Sequence, residues 1–163
     1  MTVTTTFYDP RGFDSRSSLG YLLKMTHAQM HASADRIFAE HDINFVQWIA
    51  LLKLHEGQAV TASDLCRTMC HDNGAVTRML DYLEQRGYVE RQRSQQDRRV
   101  VELRLTDSGK HKLDELMPKV VGGLNDALNA AGFGRDEFNE LTRLLNKLLV
   151  GMQTFNAAAG DGA

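Results

Sequence analysis

At 163 residues, 42% of them hydrophobic and 25% charged, the chain is sized for one domain with a helical extension or for one subunit of a small oligomer, which excludes wholesale disorder and fibrous structure. Nineteen Lys and Arg against twenty-one Asp and Glu give a net charge of −2, which excludes a globally basic coat for nucleic acid but not a local basic patch. Two Pro point to a mostly helical chain, and two Cys without a secretory segment point to reduced thiols in a cytoplasmic protein.

Residues 1–14 are Thr-rich, carry Asp9 and Pro10 and lack an apolar stretch, so a flexible segment is expected there rather than a signal peptide. The longest apolar run, Trp48 to Leu52, is far short of the ~20 residues a bilayer needs, and no membrane partner is expected. Leu19, Leu22, Leu23, Thr26, Met30, Ile37 and Phe38 recur at three- and four-residue steps, which predicts a long helix over 15–42. Asn44 as N-cap, Gln47 three residues on and an Ile43/Trp48 staple predict the next helix start, and Gly57 its stop. Thr61 and Asp64 form a second capping box over a short helix through Leu65 and Met69. After a break at His71–Asp72, Asp72 caps a helix from Asn73 to Arg86 with Val76, Met79, Leu80 and Leu83 inward and Gly87 as its stop. Two short helices around a tight turn match a helix-turn-helix.

The apolar period then changes from 3.6 to 2. Tyr88 to Arg93 and Val100 to Leu105 predict two strands of a hairpin whose loop, Ser94 to Arg99, is tipped with arginine. Thr106 caps a helix with Leu113, Leu116, Val120, Leu124 and Leu128 in one stripe, and a kink or break is expected at Pro118, with Gly122–Gly123 weakening the helix further. Gly132 to Gly134 is a turn, and a last helix carries Phe138, Leu141, Leu144, Leu145, Leu148, Leu149, Met152 and Phe155. The fold class is therefore mainly α with a small β-hairpin wing: a winged helix-turn-helix over 43–106, a dimerisation helix over 15–42, C-terminal helices of the dimerisation region over 107–156 and a flexible tail over 157–163. Exposing both terminal stripes is untenable at ~1.5–3 kcal/mol per buried Leu, so a homodimer is expected.

A reading helix needs short polar side chains and a fork-like donor at its N-terminal half, which Asn73, Thr77 and Arg78 supply. Ser63 on the preceding helix and Arg91, Arg93, Asp97, Arg98 and Arg99 on the hairpin complete the candidate DNA contacts, with Arg98 and Arg99 placed for a minor groove. From Arg86 to Arg104 there are six Arg and three acids, a local charge of +3; the remainder holds thirteen bases and eighteen acids, a charge of −5. No phosphate-cradling Gly loop, nucleophile elbow or HExxH stands out, so neither an enzyme nor a cofactor is expected.

Asp97–Arg98–Arg99 followed by Leu105–Thr106–Asp107–Ser108–Gly109 resembles the wing-and-helix signature of the multiple-antibiotic-resistance regulator (MarR) family, and Gly74 to Asp81 looks like that family's recognition helix. The resemblance covers roughly residues 17–155. It implies a homodimeric repressor on a pseudo-palindromic double-stranded operator, released by a small ligand or by oxidation. By the same resemblance Thr77 and Arg78 contact bases, Arg99 enters the minor groove and Asp97 braces it. Family effectors are often small aromatic acids held between the dimerisation helices and the DNA-reading lobe. The candidate lining is Met25, His27, Met30, Phe45, Trp48, Ile49, Leu52 and Arg86, with Arg or His meeting a carboxylate or phenol.

Three rivals follow from the residues. Cys66 and Cys70, one helical turn apart, offer a thiol-based redox sensor, although Cβ atoms ~5–6 Å apart do not suit a disulfide without opening the helix end. His27 and His31 have metal-ligand spacing, with Glu40–His41 further along, but nothing completes a tetrahedral set, so no metal is expected. A winged helix serving only as a protein-interaction module, without DNA binding, is the rival of a different class, and the arginine-rich wing argues against it.

Overall fold

The computed structural model describes residues 5–160. Contacts divide the chain into two units, one ending at Gly123 and one beginning at Leu124. Helices dominate: α1 (Leu19–Phe38), α2 (Phe45–His55), α3 (Ala62–Met69), α4 (Asn73–Gln85), α5 (Asp107–Ala130) and α6 (Arg135–Gly160), with strands β1 (Val89–Arg93) and β2 (Val101–Leu105) as an antiparallel hairpin. No helix among the described residues is long and apolar enough to cross a membrane.

The helix starts follow the capping chemistry. Ser18 caps α1 after a 3-10 turn at Ser15–Ser17. Asn44 and Gln47 exchange side-chain and backbone bonds at α2, as do Thr61 and Asp64 at α3, and Asp72 accepts from the Ala75 N–H at α4. Ile43 and Trp48, at the staple positions, are both buried. Gly57 and Gly87 hold φ of +69° and +71° at the helix stops, where a side chain would strain the backbone. The break at His71–Asp72 is present, and it opens one residue earlier at Cys70, the left-handed C-cap of α3 with φ 54°.

Three expectations change. The first helix ends at Phe38 rather than near Asp42, and the His41 N–H donates to the Phe38 carbonyl at 2.9 Å in the turn that follows. α5 runs unbroken through Pro118. The carbonyl that Pro118 leaves without its helical partner belongs to Asp114, and both residues are exposed. Gly123 is a packing position rather than a weak point: a Cβ there would lie 2.5 Å from Ile37 Cδ1 of α1. Finally, α6 continues to Gly160, so residues 157–160 are helical rather than frayed; residues 1–4 and 161–163 lie outside the described residues.

In the first unit the core gathers Leu51, Leu65, Val76, Leu80, Leu83, Leu116 and Val120, each almost without solvent contact. Every one lies on the inward stripe of its helix, so one apolar interior fixes α2, α3, α4 and the first half of α5 together. The terminal helices differ. On α1, Leu19, Tyr21, Leu22, Leu23, Met25 and Met30 are exposed, and on α6 so are Leu141, Leu144, Leu145, Leu149, Val150, Met152 and Phe155.

Candidate nucleic-acid interface

The hairpin is anchored at its base by the residues of the Leu105–Gly109 motif. Thr106 donates its hydroxyl to the Gly87 carbonyl at 2.6 Å and its N–H to the Tyr88 carbonyl at 3.1 Å, and its oxygen accepts the Gly109 N–H at 3.0 Å. Gly109 has no room for a side chain, since a Cβ would lie 2.1 Å from the Tyr88 carbonyl oxygen. Halfway along, the Leu103 N–H donates to the Val60 carbonyl at 2.8 Å, tying β2 to the α2–α3 connection. The tip is closed by Ser94 N–H to Val100 O and by Val100 N–H to Asp97 O, both 2.9 Å. The Asp97 carboxylate accepts the Arg99 backbone N–H at 2.9 Å, and the Arg99 side chain is exposed.

The six arginines of the basic window divide into two sets. Arg86 pairs with Asp42 at 3.6 Å, Arg104 with Glu102 at 3.3 Å, and Arg91 with Asp81 at 2.7 Å and Glu84 at 2.5 Å. Arg93, Arg98 and Arg99 are exposed and have no ion pair among the described residues. Arg93 and Arg98 also line an open cleft with Ser94 and Gln95 at the wing. Arg91, expected among the DNA contacts, is thus turned inward. Burial alone would lower its basicity, but hydrogen bonds and Coulomb attraction from Asp81 and Glu84 raise it. The charge count of the sequence could not separate paired from free arginines; the acids at 81 and 84, one turn apart on α4, were the missed signal.

On α4, Asn73, Thr77 and Arg78 are all exposed. Thr77 donates its hydroxyl back to the Asn73 carbonyl at 2.8 Å, and Asn73 accepts from the Cys66 thiol at 3.1 Å. Arg78 makes no ion pair among the described residues, and its charge helps hold the Asp72 carboxyl below its ordinary value, after the Ala75 N–H that the carboxylate accepts. Ser63 is exposed on the first turn of α3. An exposed polar helix start and a wing whose Arg93, Arg98 and Arg99 have no ion pair among the described residues suit phosphate and base-edge contact.

The candidate effector residues separate as well. His31 of α1 stands beside His27 at a ring distance of 4.8 Å and edge-on to Phe45 at 5.1 Å; Phe45 stacks on Trp48 at 6.1 Å, and Phe38 packs against both. Trp48 is buried, and its indole N–H has no hydrogen-bond partner among the described residues. Ile49 and Leu52 are half-buried on α2, while Met25 and Met30 are exposed on α1. Arg86 is engaged away from this cluster: besides its ion pair with Asp42 it lies over the Tyr82 ring at 5.2 Å, so it braces the end of α4 rather than waiting for a carboxylate. Asp42 joins these elements, accepting the Tyr88 hydroxyl at 2.6 Å and facing Lys112 at 3.4 Å, while Tyr82 donates to its carbonyl. Among the described residues no group of three or more His, Cys, Asp or Glu is placed to hold a metal ion.

Comparison with known proteins agrees with this geometry. The MarR family model matches residues 43–101, the span from the α2 cap to the start of β2. The solved structure of apo MarR from E. coli is 30% identical, with a TM-score of 0.71 over 81% of this chain and 97% of that one. The transcriptional repressor CouR, solved bound to a 23-mer DNA duplex, is 29% identical, with a TM-score of 0.72 over 81% of this chain and 92% of that one. The transcriptional regulator MgrA of Staphylococcus aureus is 27% identical over 116 residues, 71% of this chain and 76% of that protein. With the wing, the capped reading helix and these relatives in the same order along the sequence, the chain belongs to the MarR family.

Proposed function

We propose that this MarR-family DNA-binding transcriptional regulator works as a homodimeric repressor of a pseudo-palindromic operator and is released by a small aromatic acid or phenol. The observation that carries the DNA reading is the set of unpaired cations on one lobe: Arg78 at the exposed start of α4 and Arg93, Arg98 and Arg99 on the wing. Arg78 and Thr77 face base edges in the major groove, and Arg99 enters the minor groove with Asp97 fixing its backbone. Titration of duplex from DNA flanking its own coding sequence, at two salt concentrations, tests this: phosphate contact gives a steep negative slope, and salt-indifferent binding refutes it. Arg78→Ala is expected to lose ~1–3 kcal/mol on the operator and to relax sequence preference; an equal loss on random duplex would make Arg78 a phosphate contact.

The homodimer is supported by the apolar stripes of α1 and α6, which only a second copy of the same helices covers in kind. Two reading helices in one dimer must lie ~34–36 Å apart to meet successive major grooves. A ligand releases the operator to the extent that it binds better to a spacing that misses them. Its supporting observation is the Phe38–Phe45–Trp48 cluster, where the unpartnered indole N–H is a donor awaiting an acceptor. A phenol or aromatic carboxylate that quenches Trp48 fluorescence and weakens operator binding in the same concentration range is the expected result.

One observation favours a second reading. The Cys66 thiol donates to the side chain of Asn73, the first residue of the reading helix, so oxidation at Cys66 removes a bond that α4 starts on. Peroxide-induced operator release that persists unchanged in Cys66→Ser and Cys70→Ser eliminates that reading.

A further inference from the structure

We infer that Arg91 is a positioning residue for operator recognition: through Asp81 and Glu84 it locks the angle between the wing and the reading helix. The inference rests on the duplex-binding reading above. β1 alternates, so Val89, Arg91 and Arg93 share a face; Val89 is buried, Arg91 is half-buried and Arg93 is exposed beyond the edge of the lobe. That face therefore changes task along its length, from core to ion pair to free cation. At the middle position the guanidinium spans two carboxylates, Nη2 to Asp81 at 2.7 Å and Nη1 to Glu84 at 2.5 Å, which lie three residues apart on α4. Two prongs on two points of one helix fix a rotation, where a single contact fixes only a distance.

The consequence is specific to DNA. Thr77 and the Arg78 donor lie four and three residues before Asp81 on α4, and the wing tip begins three residues beyond Arg91, at Ser94. Base contacts from α4 and groove contacts from the tip must be made at once, and a wing free to rotate loses one while making the other. Arg91 acts through these elements and does not itself release counterions.

The decisive variant is Asp81→Asn with Glu84→Gln. It removes two negative charges from the face that meets phosphate, so simple electrostatics dictates tighter binding to every duplex. The positioning role dictates the opposite on the operator: affinity falls about tenfold, within the range of coupling inside one ion-pair network, while random duplex binds as well or better. Arg91→Lys keeps the charge but gives up the fork, and is expected to lower the ratio of operator to random affinity with an unchanged salt slope. Thermal unfolding of each variant shows that the lobe is folded. A salt slope that falls by about one in Arg91→Ala makes Arg91 a phosphate contact and overturns the inference, as does a double variant that binds both duplexes more tightly. A wild-type protein that does not distinguish operator from random duplex overturns the DNA reading itself.

Discussion

The lobe built from α2, α3, α4 and the hairpin closes its apolar residues on one another, whereas α6 carries an equally regular apolar stripe that stays in solvent. Leu51, Leu65 and Leu83 are fully buried; Leu144, Leu149 and Phe155 are exposed by 47%, 56% and 69%. The same helical periodicity produced both. What differs is the closure: the lobe has four short elements with capped ends that turn back on a shared interior, and α6 is a single helix of 26 residues whose stripe outruns its own unit. The lobe therefore closes within one chain, whereas the proposed homodimer would supply the cover that the α6 stripe lacks.

The largest effect is expected where that difference is broken at the helix. Leu145→Glu with Leu149→Glu places charges on the α6 stripe; sedimentation should show monomers, and operator affinity should drop by about 10²–10⁴ as the two half-sites lose their linkage. Unfolding of the lobe should be little changed, and a protein that stays dimeric would remove α6 from the interface. Next comes the lobe interior. Leu83→Ala should cost ~2–5 kcal/mol in denaturant unfolding, with a loss independent of protein concentration because no second copy shares the cavity.

Smaller effects sharpen the comparison at the polar joint of the lobe. Tyr88→Phe deletes the hydroxyl that Asp42 accepts and should cost about 1 kcal/mol. Burial pushes the Asp42 carboxyl up, but the Tyr88 hydroxyl and the Lys112 charge outweigh it and hold the carboxyl below its ordinary value of 3.8. The stability it contributes is thus fully present above that value and is lost as pH falls through the lower folded value. In Tyr88→Phe the acid limb of the stability curve should move to higher pH; an unmoved limb would mean that Lys112 alone sets the titration.

The caps at Asn44, Thr61 and Asp72 and the hairpin were legible because each is a local contract between residues two to four apart. The exposed place of Arg98 and Arg99 in the hairpin loop was legible for the same reason. The ion pairs of Arg91 and Arg86 were not legible because their partners lie seven or more positions away, Asp81 and Glu84 on a preceding helix and Asp42 in the α1–α2 connection. The helix does not break at Pro118, since the cost of an interior proline depends on its surroundings, and Pro118 and Asp114 both lie on the exposed side of α5. Composition counts charges, whereas a contact surface depends on which charges are already spent.

The closure of the wing has a consequence for how such a protein diversifies. Ser94 and Val100 fasten the loop at its neck, and Thr106 roots the strands, so the side chains from Gln95 to Arg99 carry no share of the interior. Apart from Asp97, whose carboxylate accepts the Arg99 N–H, substitutions there leave the scaffold's contacts intact. A lineage can explore new target sites by exchanging the other four tip residues while the foldable part of the molecule stands still.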